Sequence, residues 1–249
     1  MRNLHGRRFG AVNGGTYREL HFPEWTPLDL GASLALWLRA DKGITLNGST
    51  VSAWADQSGN GRHATQGAGS KQPAYVASTS GLNGQPSMLF STAAATYLTT
   101  AVGAVIAQPN TLVIVSRSGT VTPSLLAVDG PFGGTRRQII GVNASKQLQA
   151  FAGALLNSTT LWGDNTSRIA LAEFNGASSA IYLDSATTTV ASGNAGAVSF
   201  EGVLVGGSNT GTQNWSGHIA EVIAVAGASA SIRANIVRYL GTRYGITVT

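Results

Sequence analysis

Cysteine is absent from this 249-residue chain, which excludes disulfides and thiolate metal sites and leaves packing as the source of stability. Charge is also scarce. Only 11% of the residues are Asp, Glu, Lys or Arg, too few for solvent-exposed helices laced with Glu–Lys pairs. No run approaches the roughly 20 apolar residues that a helix needs to cross a bilayer, and the first residues carry arginines where a signal peptide has its apolar core. The expectation is a chain without a membrane partner and without an export signal.

Hydrophobic residues make up 43% of the chain, and the polar remainder is dominated by Gly, Ser, Thr and Asn, the profile of short strands joined by many turns. The net charge of +5 is unevenly placed, because Arg2, Arg7, Arg8 and Arg18 all precede the first acid, Glu19. Four arginines spaced by Gly and Asn make a sparse patch with no nucleic-acid motif behind it, so no nucleic-acid partner is expected.

Residues 1–30 show neither hydrophobic period and close on an aromatic and proline cluster, Phe22, Pro23, Trp25 and Pro27. They read as an extended N-terminal arm ahead of one domain at 31–249. Exposed Phe22 and Trp25 would find a groove on their own domain or on a neighbour. From Leu34 the pattern changes to short apolar stretches, among them Leu34–Arg39, Thr50–Trp54, Ser87–Phe90, Thr111–Ser116 and Gly217–Ala226. Turn pairs such as Asp129-Gly130 and Asn175-Gly176 punctuate them. Many short strands with regular turns predict an all-β sandwich. Near the end, Ile232, Ile236, Tyr239 and Leu240 repeat at helical spacing, predicting one C-terminal helix over Ser229–Tyr244 with Ser229 as N-cap and Gly245 as its stop.

Three segments together resemble the laminin G-like branch of the concanavalin A-like lectin/glucanase superfamily: Leu36-Trp-Leu-Arg-Ala-Asp41, Val51-Ser-Ala-Trp-Ala-Asp-Gln-Ser-Gly-Asn-Gly61, and Trp215-Ser-Gly-His-Ile-Ala-Glu-Val222 with Arg238-Tyr-Leu-Gly-Thr-Arg-Tyr-Gly-Ile246. The resemblance implies a two-sheet antiparallel jelly roll with its first and last strands adjacent. Strand alternation then puts Trp37, Arg39 and Asp41 on one face of the first strand and Ile219, Glu221 and Ile223 on one face of the last. Arg39 and Glu221 become candidates for a structural ion pair, since a charge inside an apolar strand needs a partner.

Catalysis finds little to work with. The eleven acids never fall within two residues of each other, whereas glycoside hydrolysis needs two carboxylates across a cleft. There is no Gly-x-Ser-x-Gly elbow, and His5, His21, His63 and His218 are scattered. No enzymatic activity is expected. Two loops could bind. Trp162, Asp164 and Asn165 combine an aromatic ring with an acid and an amide, as sugar sites do, although Trp162 could equally pack in the sandwich. Asp56 and Asn60 offer oxygens for calcium, yet Asp and Asn beside Gly also build tight turns unaided, and calcium wants six or more oxygens. No other cofactor is expected.

The expected role is a non-enzymatic structural protein of a bacteriophage particle, a capsid decoration or tail component localised to the virion. In that reading the domain is exposed, while Arg2, Arg7, Arg8, Arg18, Phe22 and Trp25 dock the arm onto other virion proteins in a homo-oligomer or larger assembly. The alternative is a glycan-binding, lectin-like module of a bacterial surface or secreted protein, with cell-surface glycan as partner.

Overall fold

The structure is a computed structural model that describes residues 9–10, 18–19, 24–100, 104–120, 126–130, 137–208 and 212–249. Arg2, Arg7, Arg8 and Phe22 of the expected arm lie outside the described residues. Arg18 is described in its backbone alone, where Arg18–Glu19 pairs antiparallel with Phe9–Gly10.

From Leu34 onward the chain is antiparallel β-structure closed by one helix. Seventeen strands are hydrogen-bonded into one antiparallel system, close to a closed barrel. The corners that would separate two sheets are bonded through. Leu204–Val205 pairs with both Leu98–Thr100 and Leu126–Asp129, and Leu98–Thr100 pairs in turn with Ala64–Thr65. Edges joined in this way leave fewer backbone groups unpaired.

The centre of the system is the strand Asn110–Ser118, flanked by Ser167–Phe174 on one side and Gly217–Ala226 on the other. Gly217–Ala226 in turn pairs with Ser87–Phe90 over its first residues and with Leu34–Arg39 over its last. First and last strands of the domain are therefore neighbours. The central strand is buried almost throughout, with an apolar middle from Leu112 to Val115, because both of its faces are covered. Leu112 and Ile114 point into the barrel with Leu36, Leu38, Ala170 and Ala172. Val113 and Val115 point the other way, with Leu34, Trp37, Ile169 and Leu171, onto the helix.

That helix, α1 (Ala230–Tyr244), starts where the spacing predicts: the Ser229 hydroxyl accepts from the Ile232 backbone N–H at 3.2 Å, and the chain stops at Gly245, whose φ of 64° is left-handed. Ile236, Val237, Leu240 and Tyr244 form its buried stripe. Polar clamps fix it to the sheet. Arg233 reaches Glu173 at 2.5 Å and lies 4.2 Å above the Tyr182 ring, and Arg243 reaches Asp41 at 2.8 Å.

The end of the expected arm is described. Trp25 is half-buried, its ring edge-on to Tyr239 of α1 at 6.0 Å, and Leu30, within the 3-10 helix Pro27–Ser33, packs against the same helix-side cluster. Trp25 thus covers an aromatic edge of α1 and so leaves water.

Candidate functional site

Two places gather polar side chains, one sealed under α1 and one open at the rim. The sealed one centres on Glu221. A β-bulge in the pairing of the last strand with the central one breaks the alternation at Ala220, so Ile219 falls to the barrel interior while Ala220 and Glu221 both face the helix. This corrects the expected common face for Ile219 and Glu221. Glu221 is 1% exposed and accepts from Trp37 Nε1 at 2.5 Å and from the Tyr244 hydroxyl at 2.7 Å. Arg243 Nε stands 3.7 Å away. Burial pushes the Glu221 carboxyl up to about 7 against the lowering pull of these hydrogen bonds and of the Arg243 and Arg39 charges.

Arg39 stands directly opposite Glu221 in the strand register, but its guanidinium grips Asp41 through both carboxylate oxygens at 2.6 Å. The expected ion pair is thus corrected to a neighbourhood. Asp41 lies within the reach of the fork, whereas Glu221 faces the indole and phenol donors. Burial works to raise Asp41, but the hydrogen bonds and charges of Arg39 and Arg243 outweigh it and hold the carboxyl at about 2.

The open place is a basin of about 660 Å³ at the end of the central strand. Arg117 and Ser118 end that strand, His218 begins the neighbouring one, and Leu89 and Phe90 end the third. Asn165, Ser216, Ser91 and Thr92 complete its polar rim. Local backbone makes the concavity. A side chain at Gly217, with φ of 136°, would collide with the Arg117 carbonyl and the Gly119 amide, so only glycine lets the two strands approach here. Arg117 lies opposite His218 in the register and donates through Nη1 to the Asn165 carbonyl. His218 shares a hydrogen bond through Nδ1 with Ser87 Oγ at 2.9 Å, and Ser87 contacts Thr79 Oγ1 at 2.6 Å behind it. Burial, and then the Arg117 charge, lower the His218 pKa below 6.5. The imidazole is oriented from behind, leaving Nε2 for the basin.

The expected sugar triplet is split. Trp162 is 1% exposed and packs edge-on to Trp215 with ring centres 4.8 Å apart, so it belongs to the core and offers no stacking face. Asp164 is exposed and lies 3.8 Å from Lys146. Asn165, alone of the three, lines the basin. Of the two readings left open for Asp56 and Asn60, calcium or a tight turn, the loop's own bonding fits the turn. The Asp56 carboxylate accepts from the backbone amides of Trp37, Ser58 and Arg62 and from the Ser58 hydroxyl, and Asn60 points its amide nitrogen at the Leu34 and Ala35 carbonyls. Acceptors occupied in this way build a turn, not an oxygen cage. Among the described residues no three His, Cys, Asp or Glu side chains gather as metal ligands.

Arg117 and Ser216 were not singled out in the sequence, and His218 figured only as one scattered histidine. The available signal was positional: Arg117 is the lone charge in the apolar stretch Thr111–Ser118, and His218 directly follows a glycine at the start of the last strand.

No protein-family model and no curated protein matches the chain at the sequence level. Solved structures match by shape. Domain 4 of AbnA, an extracellular GH43 arabinanase from Geobacillus stearothermophilus solved in complex with arabinotriose, is similar at a TM-score of 0.58 and 10% identity, over 82% of this chain and 98% of that one. An arabinofuranosidase complexed with arabinofuranosyl-α-1,2-xylobiose is similar at 0.57 and 15% identity, over 80% of this chain and 52% of that one. Trypanosoma rangeli sialidase in complex with the inhibitor DANA follows at 0.53 and 14%, over 82% of this chain and 32% of that one. This chain thus spans nearly all of the first, about half of the second and about a third of the third. At these identities the likeness concerns the β-fold.

Proposed function

We propose that this chain is a non-catalytic glycan-binding β-module whose site is the rim basin, a reading that places it in the lectin-like, laminin G-like branch that its sequence resembles. The observation that carries it is the basin's make-up. Arg117, His218, Asn165, Ser216, Ser91 and Thr92 surround a cavity whose exposed apolar side chain is Leu89, and a sugar offers the matching combination of hydroxyls and an apolar ring face. The similar solved structures belong to carbohydrate-active proteins, one of them a single domain solved with an oligosaccharide, which supports the same reading. The sealed position of Glu221 beneath α1 gives it a part in stability, not in turnover.

Docking on a virion would rest on the arm. Of its residues, Trp25 packs on its own domain, and no observation favours the particle reading over the glycan one. The test is a glycan array probed with the full chain, followed by calorimetry on the best ligand. Retention of at least one oligosaccharide is expected, with affinity lowered about fivefold by Asn165→Gly. Glycine is the apt replacement because Asn165 has a φ of 51°, which glycine tolerates. An array blank across neutral and acidic glycans alike would overturn the reading.

A further inference from the structure

We propose that the rim basin is selective for an acidic sugar, whose carboxylate sits between Arg117 and His218 while the hydroxyl rim holds the rest of the ring. This rests on the glycan-binding reading and deepens it. The first ground is charge. The lining includes Arg117 and His218 and no Asp or Glu, whereas a site for a neutral sugar gains from carboxylates that accept from its hydroxyls. The second ground is that the Arg117 charge is uncompensated. Arg39, Arg137, Arg168, Arg233 and Arg243 each sit on a carboxylate. Arg117 instead donates to the neutral Asn165 carbonyl, and among the described residues no acid neutralises it. Arg62, also half-buried and without a carboxylate, spends its fork on the Ala35 and Ala104 carbonyls away from the basin, whereas a half-buried guanidinium that lines a cavity with no carboxylate beside it favours an anion from solution.

Geometry supplies the third ground. Register places Arg117 and His218 side by side on adjacent strands, and the Ser87–Thr79 relay holds the imidazole with Nε2 as its remaining donor position. Around His218, the central strand contributes the Arg117 charge, while the Ser87–Phe90 strand contributes Leu89 opposite it and the Ser87 hydroxyl. No carboxylate stands among these. An anion seated there favours the imidazolium, so affinity for the acid should rise as pH falls. Ser91, Thr92 and Ser216 along the rim are suited to ring hydroxyls, which a bare inorganic anion would leave unused.

The test compares acidic members of the array with neutral counterparts. The best acidic oligosaccharide and its methyl ester, which keeps the sugar and removes the charge, are then titrated into the full chain at about pH 5.5 and about pH 7.5. The free acid should bind about tenfold more tightly than the ester at the lower pH, with a smaller preference at the higher one. Arg117→Gln should collapse that preference, bringing the affinity for the free acid down to that for the ester. His218→Asn, which keeps a polar group for Ser87, should flatten the pH dependence even if Arg117→Gln proves poorly folded. Equal binding of acid and ester would overturn the acidic specificity while the glycan reading stood. Competition by sodium sulfate as tight as the acidic sugar would also overturn it, by showing a general anion site. Binding of neither form, with a blank array, would remove both.

Discussion

The helix-covered face and the rim basin are built from similar side chains and are put to opposite uses. Under α1, most strong donors near Glu221 are spent inside the protein: the Trp37 indole and the Tyr244 phenol on Glu221 itself, and the Arg39 fork on Asp41, while Arg243 Nε and the Tyr239 hydroxyl lie sealed beside them without a hydrogen bond. At the rim, the Arg117 charge and the free edge of His218 face a cavity. Both regions start from residues in the same pair of adjacent strands, only a few positions apart. The difference lies in what covers them. A buried charge is tolerated when its partners are folded around it, and a polar group whose partners are missing is affordable only where water or a ligand can reach it.

The largest test of that contrast is Glu221→Ala. Losing the carboxylate leaves the Trp37 Nε1 and the Tyr244 hydroxyl without their acceptor beneath α1, and removing one member of a buried charged cluster costs about 3–5 kcal/mol. Urea denaturation should show a loss of that size. A loss below about 1 kcal/mol would mean that water enters the cluster and that the two regions differ less than their burial suggests.

The next effect is a pH dependence. Glu221 is held at about 7 in the folded chain against an ordinary 4.5. Between those values the folded form keeps a proton that the unfolded form has lost, so stability is fully present below about pH 4.5 and declines as pH rises through 7, by on the order of 1–3 kcal/mol. Asp41, held at about 2 against 3.8, acts oppositely and at lower pH. It stabilises above its unfolded value, and that contribution fades as the pH falls towards 2. His218, lowered below 6.5, also favours the folded state at higher pH and so partly masks the Glu221 trend. The difference between wild type and Glu221→Gln isolates the acid: the wild-type stability should fall relative to the variant from about pH 5 to about pH 7.5. A constant difference would place the Glu221 titration outside that window.

Strand content and the terminal helix were legible because each leaves a local trace, apolar runs between turns or a stripe at helical spacing closed by Ser229 and Gly245, whereas the neighbouring first and last strands were expected from the family resemblance alone. The candidate site was not. Trp162 in Leu161-Trp-Gly-Asp-Asn165 reads as a loop aromatic, yet its partner Trp215 lies 53 positions away and only the fold shows that the two rings pack. The bulge at Ala220 shifts the alternation by one residue, and a single register step moves a side chain to the other face. Arg39 was rightly placed opposite Glu221, but its choice of Asp41 depends on side-chain reach that strand periodicity does not encode. The basin gathers residues from three strands and the Gly163–Asn165 turn, none of which carries a spacing motif.

The smallest structural effect and a clear functional one should coincide at Ser216→Ala. Ser216 is half-buried on the basin rim, and its hydroxyl forms no hydrogen bond with the described residues. Its backbone carbonyl, which accepts from the Gly119 amide at 2.8 Å, survives the substitution. Removing an uncommitted, water-accessible hydroxyl should therefore change the unfolding free energy by no more than about 0.5 kcal/mol. If a sugar hydroxyl bonds there, the same deletion should weaken glycan binding about three- to tenfold, because a net hydrogen bond of about 0.5–1.5 kcal/mol is lost from the complex alone. Denaturation and calorimetry on one preparation read both numbers. A stability loss comparable to that of Glu221→Ala would show that the rim is structural like the helix-covered face. Unchanged affinity together with unchanged stability would take Ser216 out of the glycan contacts and confine the site to the Arg117, His218 and Asn165 side of the basin.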